Sequence, residues 1–432
     1  MSGKYYCLRE YNYLYSDEFT SLTDDSNVLL KKSEFDEIEH FVLMNSNDKE
    51  ENVAQFLVPG YKKGIGKILK AQNYVGLIQT KNNTVIEILP KLYDKDSTIS
   101  YEKTIAILLR MLRSLKDSPF KSFSMSNIGT SNMNLLQIFI KMFLEELGIL
   151  IKKRIKSGYL SLQENANYYK GKLLVKEHIA RNIVHKERFY TEHDDYIRNR
   201  PENRIIKATL VYLNNVTNNY KLQGKIREYI FALEDVEVSM DIEADFNKCN
   251  SNRLLSDYDI ILKWCRIFLK KQSFTNYKGQ NKAYSLLFPM EKIFESYVAK
   301  AIKESEYFTD YNIKTQDSKY YLIEKPNRFS LRPDIVLEKN NEVFILDTKW
   351  KLLNNSESGN YGISQSDLYQ MYAYAKKYKS NNLFLLYPLN DFISNLKSKI
   401  FFEYEDNLKL SIVFINLEDI SESLKDLADC IS

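Results

Sequence analysis

The sequence predicts a mixed α/β C-terminal region, preceded by a β-rich N-terminal region and a helical middle region. Three observations carry that prediction. Short apolar runs bounded by turn residues gather in the first hundred or so residues. Apolar residues then recur at helical spacing from about residue 101. In the last third, helix-spaced and strand-like segments alternate, the pattern of a mixed sheet with helical cover.

At 432 residues the chain exceeds one ordinary core, so two or three domains are expected. Residues 75–79 and 84–90 read as a strand pair around the turn Lys81-Asn82-Asn83. Ahead of them, residues 60–67 form a basic, glycine-bearing stretch expected to be a surface loop. It lacks the G-x-x-x-x-G-K-[ST] spacing that cradles phosphates, so no nucleotide site is expected. Ile105, Leu108, Leu109 and Leu112 share one helix face, and Leu135, Ile138, Phe139, Met142, Phe143 and Leu147 share another. Pro201 opens a further amphipathic helix, and the polar residues 240–255 read as a loop. After residue 275 come a helix bearing Met290, Ile293, Phe294, Tyr297, Val298 and Ile302, two strands, a helix at 366–378, and strands at 383–387 and 411–415. The expected segments are 1–54, unassigned; 55–150, β-rich then helical; 151–274, helical and basic; and 275–432, the α/β domain.

A net charge of +4 is close to neutral for this length and does not by itself predict nucleic-acid binding. Locally the balance differs: residues 152–188 hold ten Lys or Arg against three Glu. That cluster fits DNA phosphates or, equally, a solvated face. Cys7, Cys249, Cys265 and Cys430 are scattered, which argues against a disulfide framework and a zinc or iron–sulfur site. His178, His185 and His193 lack tight ligand spacing. The most apolar stretch, around residues 135–151, is interrupted by Lys141, Glu145 and Glu146, so no membrane span is expected. An intracellular, cytoplasmic location is the default expectation.

The chemistry gathers in two runs, Arg332-Pro333-Asp334-Ile335-Val336-Leu337 and Val343-Phe344-Ile345-Leu346-Asp347-Thr348-Lys349. Adjacent strands can bring Asp334 and Asp347 to one divalent cation, with the Thr348 main-chain carbonyl as a further oxygen. Lys349 lies two residues beyond Asp347 and shares its strand face, where an ammonium can hold a phosphate oxygen or orient water. Glu295 flanks the apolar face of the preceding helix as a further carboxylate, with Glu291 one turn earlier a weaker choice. Gln370 and Tyr374 lie four apart on a later helix. This set suits metal-assisted phosphodiester hydrolysis with Mg²⁺ or Mn²⁺. The same residues also fit strand-end acids, a solvated lysine and polar helix rims.

On these residues the C-terminal third resembles a PD-(D/E)xK nuclease, and Gln370 with Tyr374 matches the Q-x-x-x-Y element of its RecB-like branch. Upstream, Val75-Gly76-Leu77-Ile78, Ile86-Glu87-Ile88-Leu89-Pro90-Lys91, Gly171-Lys172-Leu173-Leu174 and Asn203-Arg204-Ile205-Ile206-Lys207 occur in the order seen in the McrC family, the nuclease subunits of McrBC-type restriction systems. The resemblance implies a PD-(D/E)xK endonuclease domain that cuts DNA with Mg²⁺. It implies a hexameric McrB-like AAA+ GTPase partner that reads modified DNA and whose hydrolysis the chain stimulates. It implies no small-molecule substrate, and it places motor contact in residues 55–150, with Lys62-Lys63-Gly64-Ile65-Gly66-Lys67 as a contact element. Two other classes compete. One is a stand-alone RecB- or Cas4-like exonuclease, against which the scattered cysteines argue for the Cas4 type. The other is a non-catalytic DNA-binding regulator, against which the intact Asp334, Asp347 and Lys349 argue.

Overall fold

A strand buried along its whole length needs neighbours at both edges and cover on both faces. Tyr74–Gln79 is such a strand, pairing antiparallel with Val85–Leu89 on one side and with Tyr284–Pro289, some two hundred residues later, on the other. Gly76 makes the second pairing sterically feasible. Its φ is +135°, and a Cβ there would lie 1.9 Å from the Leu286 carbonyl oxygen. The computed structural model describes residues 4–18, 27–45, 56–80, 84–92, 98–116, 118–122, 133–249, 256–269, 284–390, 393, 400–404 and 407–431. The turn expected at 81–83 and the domain start near 275 lie outside them.

The chain divides into two compact units, one made of Met1–Leu135 with Ser273–Ser432 and the other of Leu136–Gln272. In the first unit, Tyr5–Arg9 adds in parallel to Val85–Leu89 and completes a four-stranded sheet. A second four-stranded sheet runs in the order Val28–Leu30, Tyr13–Ser16, Gly66–Ala71, Leu57–Lys62. The helix Lys32–Asn45 packs Phe35, Ile38, Phe41 and Val42 into a core with Leu14, Leu30, Leu57 and Leu69. The described residues of the segment 1–54, unassigned from sequence, therefore contribute Leu8, Leu14, Leu30, Phe35, Ile38, Phe41 and Val42 to this core. Residues 60–67 are not a loop throughout: strands run through Lys62 and resume at Gly66, leaving a turn with Gly64 at φ +82°.

The same unit holds a six-stranded mixed sheet, in the order Asn312–Thr315, Ile335–Lys339, Glu342–Thr348, Asn382–Pro388, Lys409–Ile415, Phe401–Glu403. Its three middle pairings, from Ile335–Lys339 to Lys409–Ile415, are antiparallel, parallel and parallel. One face packs Val336, Ile345, Leu383, Leu385 and Ile412 against Met371, Tyr374, Ala375 and Tyr378 of the helix Gln365–Tyr378. The alternate residues Ile335, Leu337, Leu346, Phe384 and Leu386 are buried as well. Burial on both faces explains why these strands read as continuous apolar runs.

The second unit contains the helices Pro201–Val216, Tyr220–Ala232, Ile242–Cys249 and Asp259–Leu269. Trp264 packs between Phe139 and Phe268 in its core. Pro201 occupies the first turn of its helix, and the Asn219 side chain caps the next by accepting from the amides of Lys221 and Leu222. Two expectations are corrected here. The segment 151–274 is not purely helical, because Gly158–Ala166, Phe189–Ile197 and Lys172–Leu173 form a three-stranded sheet. The loop expected at 240–255 is a helix over Ile242–Cys249, started by Asp241 accepting from the Ala244 amide; 250–255 lie outside the described residues. Its polar residues had a buried purpose, since Asp245 pairs with Arg204 at 2.6 Å and accepts from Ser239.

Among the described residues, no helix is long and apolar enough to cross a membrane.

Candidate active site

The pairing Ile335↔Leu346 sets the site. Stepping one residue outward along each antiparallel strand brings Asp334 and Asp347 together at the strand ends. The register Asp347↔Leu385 and Thr348↔Leu386 buries Asp347 beside two buried leucines, leaving it 2% exposed. Glu295 arrives from the helix Met290–Glu304, whose Ile293, Phe294, Tyr297 and Val298 face the core. Gln370 and Tyr374 come from Gln365–Tyr378, on the sheet face that carries Asp347 and Lys349.

Each acid has defined partners. Asp334 Oδ2 accepts from the Thr348 amide at 2.8 Å and from its hydroxyl at 2.6 Å. Thr348 thus orients Asp334 through its N–H and Oγ1. Asp334 Oδ1 accepts from Gln316 Nε2 at 3.1 Å, and the same nitrogen donates to Glu295 Oε1. Asp347 Oδ2 lies 2.6 Å from Lys349 Nζ, yet this buried oxygen has no aligned hydrogen bond. Lys349 Nζ donates to Gln370 Oε1 at 2.9 Å, Gln370 Nε2 donates to the Tyr374 hydroxyl at 2.7 Å, and Tyr374 donates to the Arg332 carbonyl at 3.1 Å. That chain returns to the segment bearing Asp334. Glu291 instead accepts from Asn73 at 2.8 Å.

Electrostatics set the character of the cluster. Burial, then the repulsion of Asp334, pushes the Glu295 carboxyl up to about 7 despite the Gln316 donor. Burial and Asp334 also push Asp347 up, against the pull of Lys349. Asp334 rises through burial, with its Thr348 donors opposing. Burial works against the Lys349 ammonium, but Asp347, Asp367 and Asp334 outweigh it and raise its pKa. Asp347 and Lys349 are thus both shifted upward: the ammonium is retained beside a carboxylate whose ionisation burial opposes. Three acids around one ammonium ionise together less readily than they would apart, and a further positive charge would relieve that repulsion.

The donors suit a hard divalent cation: Glu295, Asp334 and Asp347 offer carboxylate oxygens, and the buried Asp347 Oδ2 is met by the Lys349 ammonium without an aligned hydrogen bond. Among the described residues, no three His, Cys, Asp or Glu side chains already stand at ion-holding separation. The amide of Gln316 stands between two of the acids. Sequence reading missed Gln316, because a glutamine eighteen positions before Asp334 belongs to no spacing pattern. Several of the other singled-out groups have structural partners. Arg181 covers the Tyr190 ring, Lys170 pairs with Asp195, and His178 stacks on Phe189. Asn203 donates to the carbonyls of Lys156 and Arg198.

The family model described as McrBC 5-methylcytosine restriction system component matches residues 69–388. Two solved structures share the fold. One is a half-complex from a tetradecameric assembly of Thermococcus gammatolerans McrB AAA+ hexamers with bound McrC. Its matched chain is 18% identical, with TM-score 0.69 and 99% of each chain covered. The other is the Thermococcus gammatolerans McrBC complex, at 17% identity and TM-score 0.51, covering 70% of this chain and 88% of that one. No curated protein matches the chain.

Proposed function

Because the chain belongs to the McrBC 5-methylcytosine restriction system component family, we propose that it is the nuclease subunit of such a system, a PD-(D/E)xK endonuclease of type IV, modification-dependent restriction. The observation that carries this reading is the joining of Glu295, Asp334, Asp347 and Lys349 at one end of the mixed sheet, with Lys349 held by Gln370. Glu295, Asp334 and Asp347 would hold Mg²⁺ or Mn²⁺, which supplies positive charge for the phosphoryl oxygens and activates water for attack. The protein's own contribution is placement. Thr348 fixes the rotamer of Asp334 through two hydrogen bonds. The Asp347–Lys349–Gln370 chain keeps the ammonium where it can hold a phosphate oxygen or orient the attacking water. Tyr374 and Arg332 keep Gln370 from turning away.

The family, and the shared fold of a chain solved with McrB hexamers, support the choice of partner. In this reading a McrB-like AAA+ GTPase delivers modified DNA, and the chain stimulates the motor and cuts. Residues 55–150, with the hairpin tip and its flanks at residues 62–67, are our choice for motor contact.

The test combines the full chain with a McrB-type GTPase, GTP, Mg²⁺ and methylated plasmid DNA. Asp334→Ala is expected to abolish strand scission while GTPase stimulation persists. Scission that survives the substitution removes the assigned active site, and a GTPase rate indifferent to the wild-type chain removes the partner.

A further inference from the structure

Gln316 follows the strand Asn312–Thr315 and adopts φ +52°, a left-handed conformation that costs a side chain with a Cβ roughly 1 kcal/mol or more. Its amide N–H donates to the Asp334 carbonyl at 3.0 Å, fixing the turn against the strand end that carries the acid. Gln316 itself is exposed, and from the rim of the site one side-chain nitrogen donates to both Glu295 and Asp334. Only the NH₂ end of the amide satisfies two carboxylates, because the oxygen would face them as a third acceptor. The NH₂ group thus performs the task a cation performs, relieving repulsion between two acids. It does so from the space between the oxygens a cation would need.

We propose that Gln316 is a latch on the cation site: its amide bridges Glu295 and Asp334 until a divalent ion displaces it, so it sets how much free ion the site requires. The proposal rests on the metal-dependent reading above and concerns a positioning residue. Displacement breaks two charge-assisted hydrogen bonds, and that loss is charged against every ion bound. Removing the amide leaves the two acids repelling one another in the ion-free protein, which favours ion entry. The neighbouring Thr315 hydroxyl accepts from Lys303 at 3.0 Å, so the turn has an anchor independent of the amide.

The experiment is calorimetric titration of Mn²⁺ alone into the full chain, without DNA or motor, for wild type, Asp334→Ala, Gln316→Ala and Gln316→Gly. Glycine suits φ +52° and guards against a variant that fails to fold. The expected result is saturable Mn²⁺ binding by wild type, its loss in Asp334→Ala, and binding about fivefold tighter in both Gln316 variants. Affinity unchanged or weakened in both Gln316 variants, with wild type binding and Asp334→Ala not, overturns the latch and leaves the metal reading standing. No Mn²⁺ binding by wild type overturns the metal reading and the latch together.

Discussion

The indole N–H of Trp350 donates to both carboxylate oxygens of Glu10, at 3.2 and 3.1 Å, across 340 residues of sequence. Trp350 directly follows Lys349, and its ring packs against Phe294, the neighbour of Glu295. The N-terminal strands therefore brace the backbone that carries the acids and the lysine. Trp350→Phe keeps the ring and removes the donor. It is expected to lower unfolding stability by about 1–3 kcal/mol, read from the midpoint in urea.

The same pair gives the fold a pH signature. Burial pushes the Glu10 carboxyl up to about 8 from an ordinary 4.5, outweighing the donors from Trp350 and the Lys91 amide. Between those values the folded chain holds a proton that the unfolded chain releases, so Glu10 makes stability fall as pH rises. Its contribution is fully present below pH 4.5 and is lost on passing through 8. Thermal melts from pH 5 to 8 are expected to show a smaller decline for Glu10→Gln than for wild type. Parallel declines would contradict the assignment.

Gly76→Ala tests the long-range pairing that joins the two sequence segments of the first unit. A Cβ 1.9 Å from the Leu286 carbonyl forces Tyr74–Gln79 away from Tyr284–Pro289. A loss of roughly 3 kcal/mol or more is expected from backbone strain and overpacking. For the same reason a fragment beginning at residue 284 lacks the strand it pairs with. Its circular dichroism is expected to lack a cooperative thermal transition.

Gln370→Ala and Tyr374→Phe probe the support of Lys349. Losing Gln370 removes the acceptor 2.9 Å from the ammonium, and losing the Tyr374 hydroxyl frees Gln370 to turn. Scission is expected to slow by about 10–100-fold in Gln370→Ala, and by less in Tyr374→Phe, with GTPase stimulation unchanged. Equal, full activity in both would remove the relay.

Much of the placement was legible because it follows local rules. Apolar runs of the right length named the strands at 335 and 343, and period-2 geometry put Lys349 on the face of Asp347. The four-residue spacing of Gln370 and Tyr374 gave their shared helix face, and the observed bond between them follows from it. What stayed hidden depends on contacts far apart in sequence. The pairing of Tyr284–Pro289 with Tyr74–Gln79 leaves no local pattern, so the α/β segment read as separate from the N-terminal strands it shares a unit with. Gln316 was invisible because a left-handed glutamine is a tertiary outcome that no propensity favours. The strands at 158–166 and 189–197 were lost under their polar composition, because Gln163, Glu164 and Asn165 in one and Glu192, His193, Asp194 and Asp195 in the other interrupt the apolar pattern that marks a strand.

The central claim, that these side chains hydrolyse phosphodiesters, is tested most directly by the single-turnover rate of strand scission with Lys349→Ala, assembled with a McrB-type motor, GTP and saturating Mg²⁺. The variant removes the ammonium 2.6 Å from Asp347 without touching a proposed ion-holding acid. A fall of about 10²–10⁴-fold, with motor GTPase stimulation intact, is the predicted result. Scission at the wild-type rate would contradict the account.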